Sequence, residues 1–219
     1  MRRHADRKDT TKTGLTRRGI NRAFGFGRGL VPNTKLYFGT AKRTQNTGRY
    51  ATQTAKTVGI KYNPRQKAEL TTSALKRIDW EEIVRSYGSK EIATRAWLDG
   101  KVPVDIVLPP AIAADKIIKK RLSLAYRLVK RKSAPRKLVL ENITHQENMQ
   151  AVIERLTGKS SEEFLQGKPI KHLERIGFTF TFPKGAVRIR LIFRGKEVDV
   201  TKRFEKIIAL PKELEGAQI

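Results

Sequence analysis

Residues 1–68 hold seventeen Lys and Arg against two acids, Asp6 and Asp9. The chemistry open to such a stretch is the neutralisation of phosphate. Its candidate contacts are Arg17, Arg18, Arg22, Arg28, Lys35, Lys42, Arg43, Arg49, Lys56 and Lys61. Phe24, Phe26 and Tyr50 lie among these charges, where aromatic rings suit stacking on unpaired bases. The Gly25-Phe26-Gly27-Arg28-Gly29 run lacks the strand–helix flanks and spacing of a nucleotide loop, so it reads as close backbone approach to RNA. A second basic set, Arg188, Arg190 and Arg194, alternates with Val187, Ile189, Leu191 and Phe193. Alternation puts the guanidiniums on one strand face, about 6–7 Å apart, with the apolar residues on the other.

Catalytic signals are sparse. His4, His145 and His172 are far apart in sequence and have no metal-ligand spacing. His145 opens a predicted helix, where a structural role is expected. Glu81-Glu82 and Glu162-Glu163 read as first-turn acids that complement helix dipoles. No Gly-x-Ser-x-Gly, Walker or zinc motif occurs, and the absence of cysteine excludes disulfides and Cys-based zinc. The expectation is a non-enzyme with no cofactor and no metal.

These residues need elements to position them. The chain has 219 residues, net charge +26 and 38% apolar residues. Residues 1–68, acid-poor and without apolar periodicity, read as an extended basic arm that owes its order to a polyanion; Leu36-Tyr37-Phe38 is its one candidate strand. Residues 69–132 read as a helical region. It has a capping box at Asp79/Glu82, a helix started by Ser89 and stopped at Gly100, a Pro-rich extended connector at 102–110 and a long basic amphipathic helix over 111–132. Residues 133–219 read as a small α/β domain. Its strand at 137–143 is followed by a Thr144/Glu147 capping box and a helix ended by Gly158. A hairpin follows, in which Phe178–Phe182 turns through Pro183-Lys184-Gly185 into Val187–Phe193, and a short last helix spans Phe204–Ile208. The fold class is α+β: a long basic arm, a helical segment and a small α/β body with an antiparallel hairpin. No stretch reaches the roughly 18 apolar residues of a membrane span. The Arg- and Thr-rich start also has transit-peptide composition.

On this plan, a long Arg/Lys/Gly/Thr arm before a modest basic body, the chain resembles ribosomal proteins as a class. Arg155-Leu156-Thr157-Gly158-Lys159, Leu191-Ile192-Phe193-Arg194-Gly195-Lys196 and Ala209-Leu210-Pro211-Lys212 are similar to the ribosomal protein that binds 5S rRNA, and the Phe-Arg-Gly-Lys strand to the C-terminal domain of initiation factor 3. The resemblance implies a structural constituent of a ribosome acting in translation, mitochondrial or else cytoplasmic. Its partners would be rRNA and neighbouring ribosomal proteins, with no membrane and no small-molecule substrate. The alternatives are a DNA-binding architectural or viral packaging protein, and a basic-tailed subunit of a large non-ribosomal assembly.

Overall fold

The computed structural model describes residues 1–3, 14–31, 34–60, 64–70, 80–131 and 139–214; of Arg2, Glu81, Val139 and Lys184 only the backbone is described. The chain is a mixed helix-and-sheet protein. Four strands, β1 (Arg2–Arg3), β2 (Thr34–Phe38), β3 (Arg65–Gln66) and β4 (Val139–Thr144), form one sheet in the order β1-β4-β2-β3, and every pairing is parallel. β4 is central, with Arg3 opposite Thr144 on one side and Phe38 opposite Ile143 on the other.

The described part of the expected arm is folded. α1 (Arg17–Arg28) starts at Thr16, whose Oγ1 accepts from the Gly19 N–H at 2.9 Å, and α2 (Lys42–Thr57) packs against it. Small residues make this crossing. Gly19, Ala23 and Gly27 recur every fourth position on α1 and are buried, opposite Gly48, Ala51 and Ala55 of α2. A Cβ at Gly27 would run into the backbone of Ala51. Gly27 of the 25–29 run thus serves helix approach, while Gly25 and Gly29 are exposed, and the run is helical through Arg28, which corrects its reading as coil. The threonines of α2 are buried for a related reason. Thr47, Thr52 and Thr54 each donate to the carbonyl four residues earlier, at 2.8, 2.8 and 3.2 Å, so the hydroxyl is satisfied within the helix.

α3 (Trp80–Ser86) and α4 (Lys90–Leu98) follow; the Ser89 cap and the Gly100 stop, at φ 71°, are as expected. Asp79 of the expected first capping box lies outside the described residues. The 102–110 connector is a series of turns, and Pro110 takes the first position of α5 (Pro110–Ile117). A π-turn over Ile118–Leu122 then joins α5 to α6 (Ser123–Lys130), so the single long helix expected here is interrupted. Bidentate bonds from Arg155 to the fully buried Asp115, at 2.8 and 2.9 Å, tie α5 to α7 (Gln146–Thr157).

The C-terminal hairpin matches its sequence pattern. After α8 (Ser161–Leu165), β5 (Gly177–Thr181), β6 (Arg188–Phe193) and β7 (Lys196–Asp199) form an antiparallel sheet with Phe178 opposite Leu191. Val187, Ile189, Leu191 and Phe193 are buried with Phe204 and Ile207 of α9 (Thr201–Ala209). Among the described residues, no helix is long and apolar enough to cross a membrane.

Candidate active site

Parallel strands end together, and their carboxyl edge is where ligands of open α/β sheets bind. Here that edge gathers residues that are remote in sequence. β1 ends at Arg3, whose guanidinium donates to the Ile170 carbonyl, while its backbone N–H donates to Glu174 O at 3.2 Å. β2 ends at Phe38, and the Gly39 N–H donates to Ile143 O at 3.2 Å, so the chain leaves the sheet beside the end of β4. The loop is braced from α2: Thr44 Oγ1 donates to Gly39 O at 2.8 Å and Gln45 Nε2 to Thr40 O at 2.6 Å. Arg43 is thereby fixed in the first turn of α2. That turn holds no acid, so two cations, Lys42 and Arg43, sit at the positive end of a helix dipole.

β4 delivers His145, fully buried, as the N-cap of α7. Arg43 donates to its Nδ1 through Nε at 3.2 Å and through Nη2 at 2.9 Å. Arginine always carries its proton, so Nδ1 must keep its lone pair, and the proton of the neutral ring sits on Nε2. Burial and then the positive charge of Arg43 push the His145 pKa down to about 3, so the ring is neutral at pH 7. Two residues on, Glu147 is buried with its Oε1 2.8 Å from Lys90 Nζ of α4. Burial alone would raise this carboxyl; the positive charge of Lys90, with its hydrogen bond, instead holds it down at about 2. This corrects the second predicted capping box. Thr144 donates its hydroxyl to Leu70 O at 2.6 Å, and Glu147 pairs with Lys90.

The site therefore presents two guanidiniums, a neutral imidazole with a proton on Nε2, and the N-termini of α2 and α7. Such groups hold an oxyanion. Among the described residues no set of three or more His, Cys, Asp or Glu is placed to hold a metal.

The sequence-predicted contacts are distributed otherwise. Of them, only Arg43 joins this cluster. Arg17, Arg18 and Arg28 are exposed on α1, with Arg22 half-buried; Lys35 is exposed on β2, and Lys42, Arg49 and Lys56 are exposed on α2. Phe24 and Tyr50 stack edge-to-face on each other with centroids 5.2 Å apart, and Phe26 packs on Leu30, Ala51 and Ala55. Lys61 lies outside the described residues. On the hairpin, Arg188 lies 3.5 Å from Asp199, Arg190 2.8 Å from Glu197 and Arg194 2.6 Å from Glu174. Sequence reading passed over Arg3 and Lys90 and misassigned the roles of Glu147 and His145. The usable signal was an apolar strand ending in a histidine that opens a helix, together with an Arg-His pair at residues 3–4.

No protein-family model matches the sequence, and no curated protein matches it. Solved structures match the fold. A mycobacterial hydrolase aligns over 90% of this chain and 98% of its own, at 12% identity and a TM-score of 0.61. A mycobacterial glucosyl-3-phosphoglycerate phosphatase, solved with VO3, aligns over 90% of this chain and 98% of its own, at 14% identity and a TM-score of 0.58. The same phosphatase with inorganic phosphate gives a TM-score of 0.59 at 14% identity, over 90% of this chain and 95% of its own. These neighbours are a hydrolase and a phosphatase by description. The match overturns the ribosomal resemblance and, with it, the expected structural role in translation, the rRNA partner, the absence of a small-molecule substrate and the non-enzyme reading.

Proposed function

We propose that this protein is a phosphatase that hydrolyses phosphate monoesters through a covalent phosphohistidine, with His4 as nucleophile. The observation that carries the reading is the Arg43–His145 pair at the carboxyl edge of β4, beside the end of β1 at Arg3. His4 lies outside the described residues, but it follows Arg3 directly in the chain. His145 suits the complementary role: with Nδ1 accepting from Arg43, its Nε2–H can donate to a phosphoryl oxygen, and neither nitrogen is left to attack phosphorus. Arg3 and Arg43 supply the positive charge that balances the phosphoryl group as it transfers.

The step forms an N–P bond from the His4 imidazole while the ester P–O bond breaks, and the departing alcohol oxygen takes up a proton. Water then attacks phosphorus, the N–P bond breaks, and inorganic phosphate and free imidazole result. Supporting the reading are the oxyanion character of the site and neighbours solved with VO3 and phosphate.

The test is hydrolysis of p-nitrophenyl phosphate by the whole protein, with trapping of an acid-labile phosphoenzyme. His4→Ala is expected to abolish the phosphoenzyme and lower kcat by about 10³-fold or more. A folded protein that neither hydrolyses the ester nor binds vanadate overturns the phosphatase; full activity in His4→Ala overturns the nucleophile.

A further inference from the structure

Resting on that reading, the buried acid beside His145 bears on how the site holds and releases phosphate. Glu147 lies two residues past His145, in the first turn of α7, and is 1% exposed. Its partner Lys90 is the first residue of α4, with Nζ 2.8 Å from Oε1 and a side chain 28% exposed. Neither residue is needed to start α4, because Ser89 Oγ accepts from the Ile92 N–H there at 3.2 Å. A buried ion pair is a poor source of stability, since desolvation costs about what the attraction returns and an apolar pair would pack as well. Its placement next to His145 is what calls for a reason.

The reason lies in the charge around the imidazole. The His145 ring feels Arg43 of α2, Glu147 of α7, Lys90 of α4 and Arg3 of β1. Three of these are cations and one is an anion, so among the described residues they leave two net positive charges at the ring. Lys42, in the same turn as Arg43, is exposed and screened by water. Glu147 keeps its negative charge at neutral pH, with its carboxyl held down at about 2. A phosphate monoester, like inorganic phosphate, is chiefly a dianion at pH 7, its second pKa being about 6. The charge of the site thus matches that of the ligand. Without the acid, a third unanswered cation would bind substrate, product and transition state alike more tightly. Uniform tightening of that kind does not speed the chemical step, and it slows product release.

We propose that Glu147 sets the charge of the phosphoryl site: its buried carboxylate offsets one of three surrounding cations, so that the site binds a monoester dianion and still lets inorganic phosphate go, while Lys90 anchors that carboxylate in place. Glu147 and Lys90 are positioning residues in this role. They act through the field at His145 and at the bound phosphate, without touching a reacting atom.

The experiment measures binding of inorganic phosphate and of vanadate to the whole protein by calorimetry, together with their inhibition of p-nitrophenyl phosphate hydrolysis. Glu147→Gln keeps the shape of the side chain and its acceptor for Lys90 but removes the charge. It is expected to tighten both anions by about tenfold, as one unit charge at close, partly screened range does. Glu147→Gln combined with Lys90→Met removes one charge of each sign, and Glu147→Asp removes none; both are expected to bind phosphate within about threefold of the unaltered protein. A packing role would weaken phosphate binding in these variants and tighten it in none. Unchanged or weaker phosphate binding by folded Glu147→Gln overturns the charge-setting role. Where that variant does not fold, a departure of more than about tenfold in the folded double variant or in Glu147→Asp overturns it. In either case p-nitrophenyl phosphate hydrolysis by the unaltered protein leaves the phosphatase standing. An unaltered protein that binds neither anion and hydrolyses no ester overturns both.

Discussion

The arginines of the hairpin and those of the parallel sheet edge belong to the same chain and do different work. On β6 and its turn, Arg188, Arg190 and Arg194 each lie within 2.6–3.5 Å of a carboxylate, on exposed or partly exposed ground. Their charge is answered on the same surface. At the sheet edge, Arg43 hydrogen-bonds a neutral imidazole, and the guanidinium of Arg3 donates to a backbone carbonyl. Those bonds orient the guanidiniums at the edge where the parallel strands end. Charge count alone treats the two regions alike. What separates them is the chemical nature of the partner, together with burial: His145 is fully enclosed, whereas Arg188 and Asp199 are about half exposed.

That contrast can be broken by substitution. The largest effect is expected at Arg43. Arg43→Ala should lower kcat on p-nitrophenyl phosphate by about 10²–10³-fold, the loss typical of one oxyanion-stabilising group, with the folded state checked by circular dichroism. A variant with unchanged kcat would remove Arg43 from the reaction.

A smaller effect is expected in stability against pH. The His145 pKa falls from 6.5 to about 3 on folding, and that of Glu147 from 4.5 to about 2. In each case the unfolded chain binds a proton that the folded chain refuses, so stability declines as pH falls. His145 acts between about pH 6.5 and 3 and Glu147 between about 4.5 and 2. Between pH 6 and 5 His145 contributes most, with a slope of up to about 1.4 kcal/mol per pH unit. Urea unfolding at pH 6 and 5 should show this slope in the unaltered protein and its loss in His145→Gln; an equal slope in both would place the ring in a more solvated setting.

The smallest effect belongs to the hairpin. Arg190→Ala should leave kcat unchanged and cost less than about 1 kcal/mol in unfolding free energy, as exposed ion pairs do. A loss of activity there would show that the hairpin face takes part in substrate binding after all.

How far the fold could be read in advance depended on which signal an element carried. The hairpin was legible because the alternation of Val187, Ile189, Leu191 and Phe193 fixes one buried face whatever the surroundings. The start at Ser89 and the stops at Gly100 and Gly158 were legible because caps act within one turn. α1 and α2 were not. Their buried faces are built of Gly, Ala and Thr, residue types that give little hydrophobic signal, and the threonine hydroxyls become compatible with burial only once helical carbonyls accept from them. A high count of Lys and Arg then made a packed layer look like an unstructured arm.

By itself the amino-acid sequence determined the chain's strong positive charge, its antiparallel hairpin and most of its helix limits, since charge adds without regard to folding and caps and alternation are local. Only the tertiary structure decided which cations and which histidine meet. Parallel pairing of β1 and β2 on either side of β4 is a contact between segments more than 100 residues apart, and it alone brings residues 3, 43 and 145 to one edge. The neutrality of His145 was likewise settled there, because burial and a neighbouring guanidinium do not exist until the strands are in register.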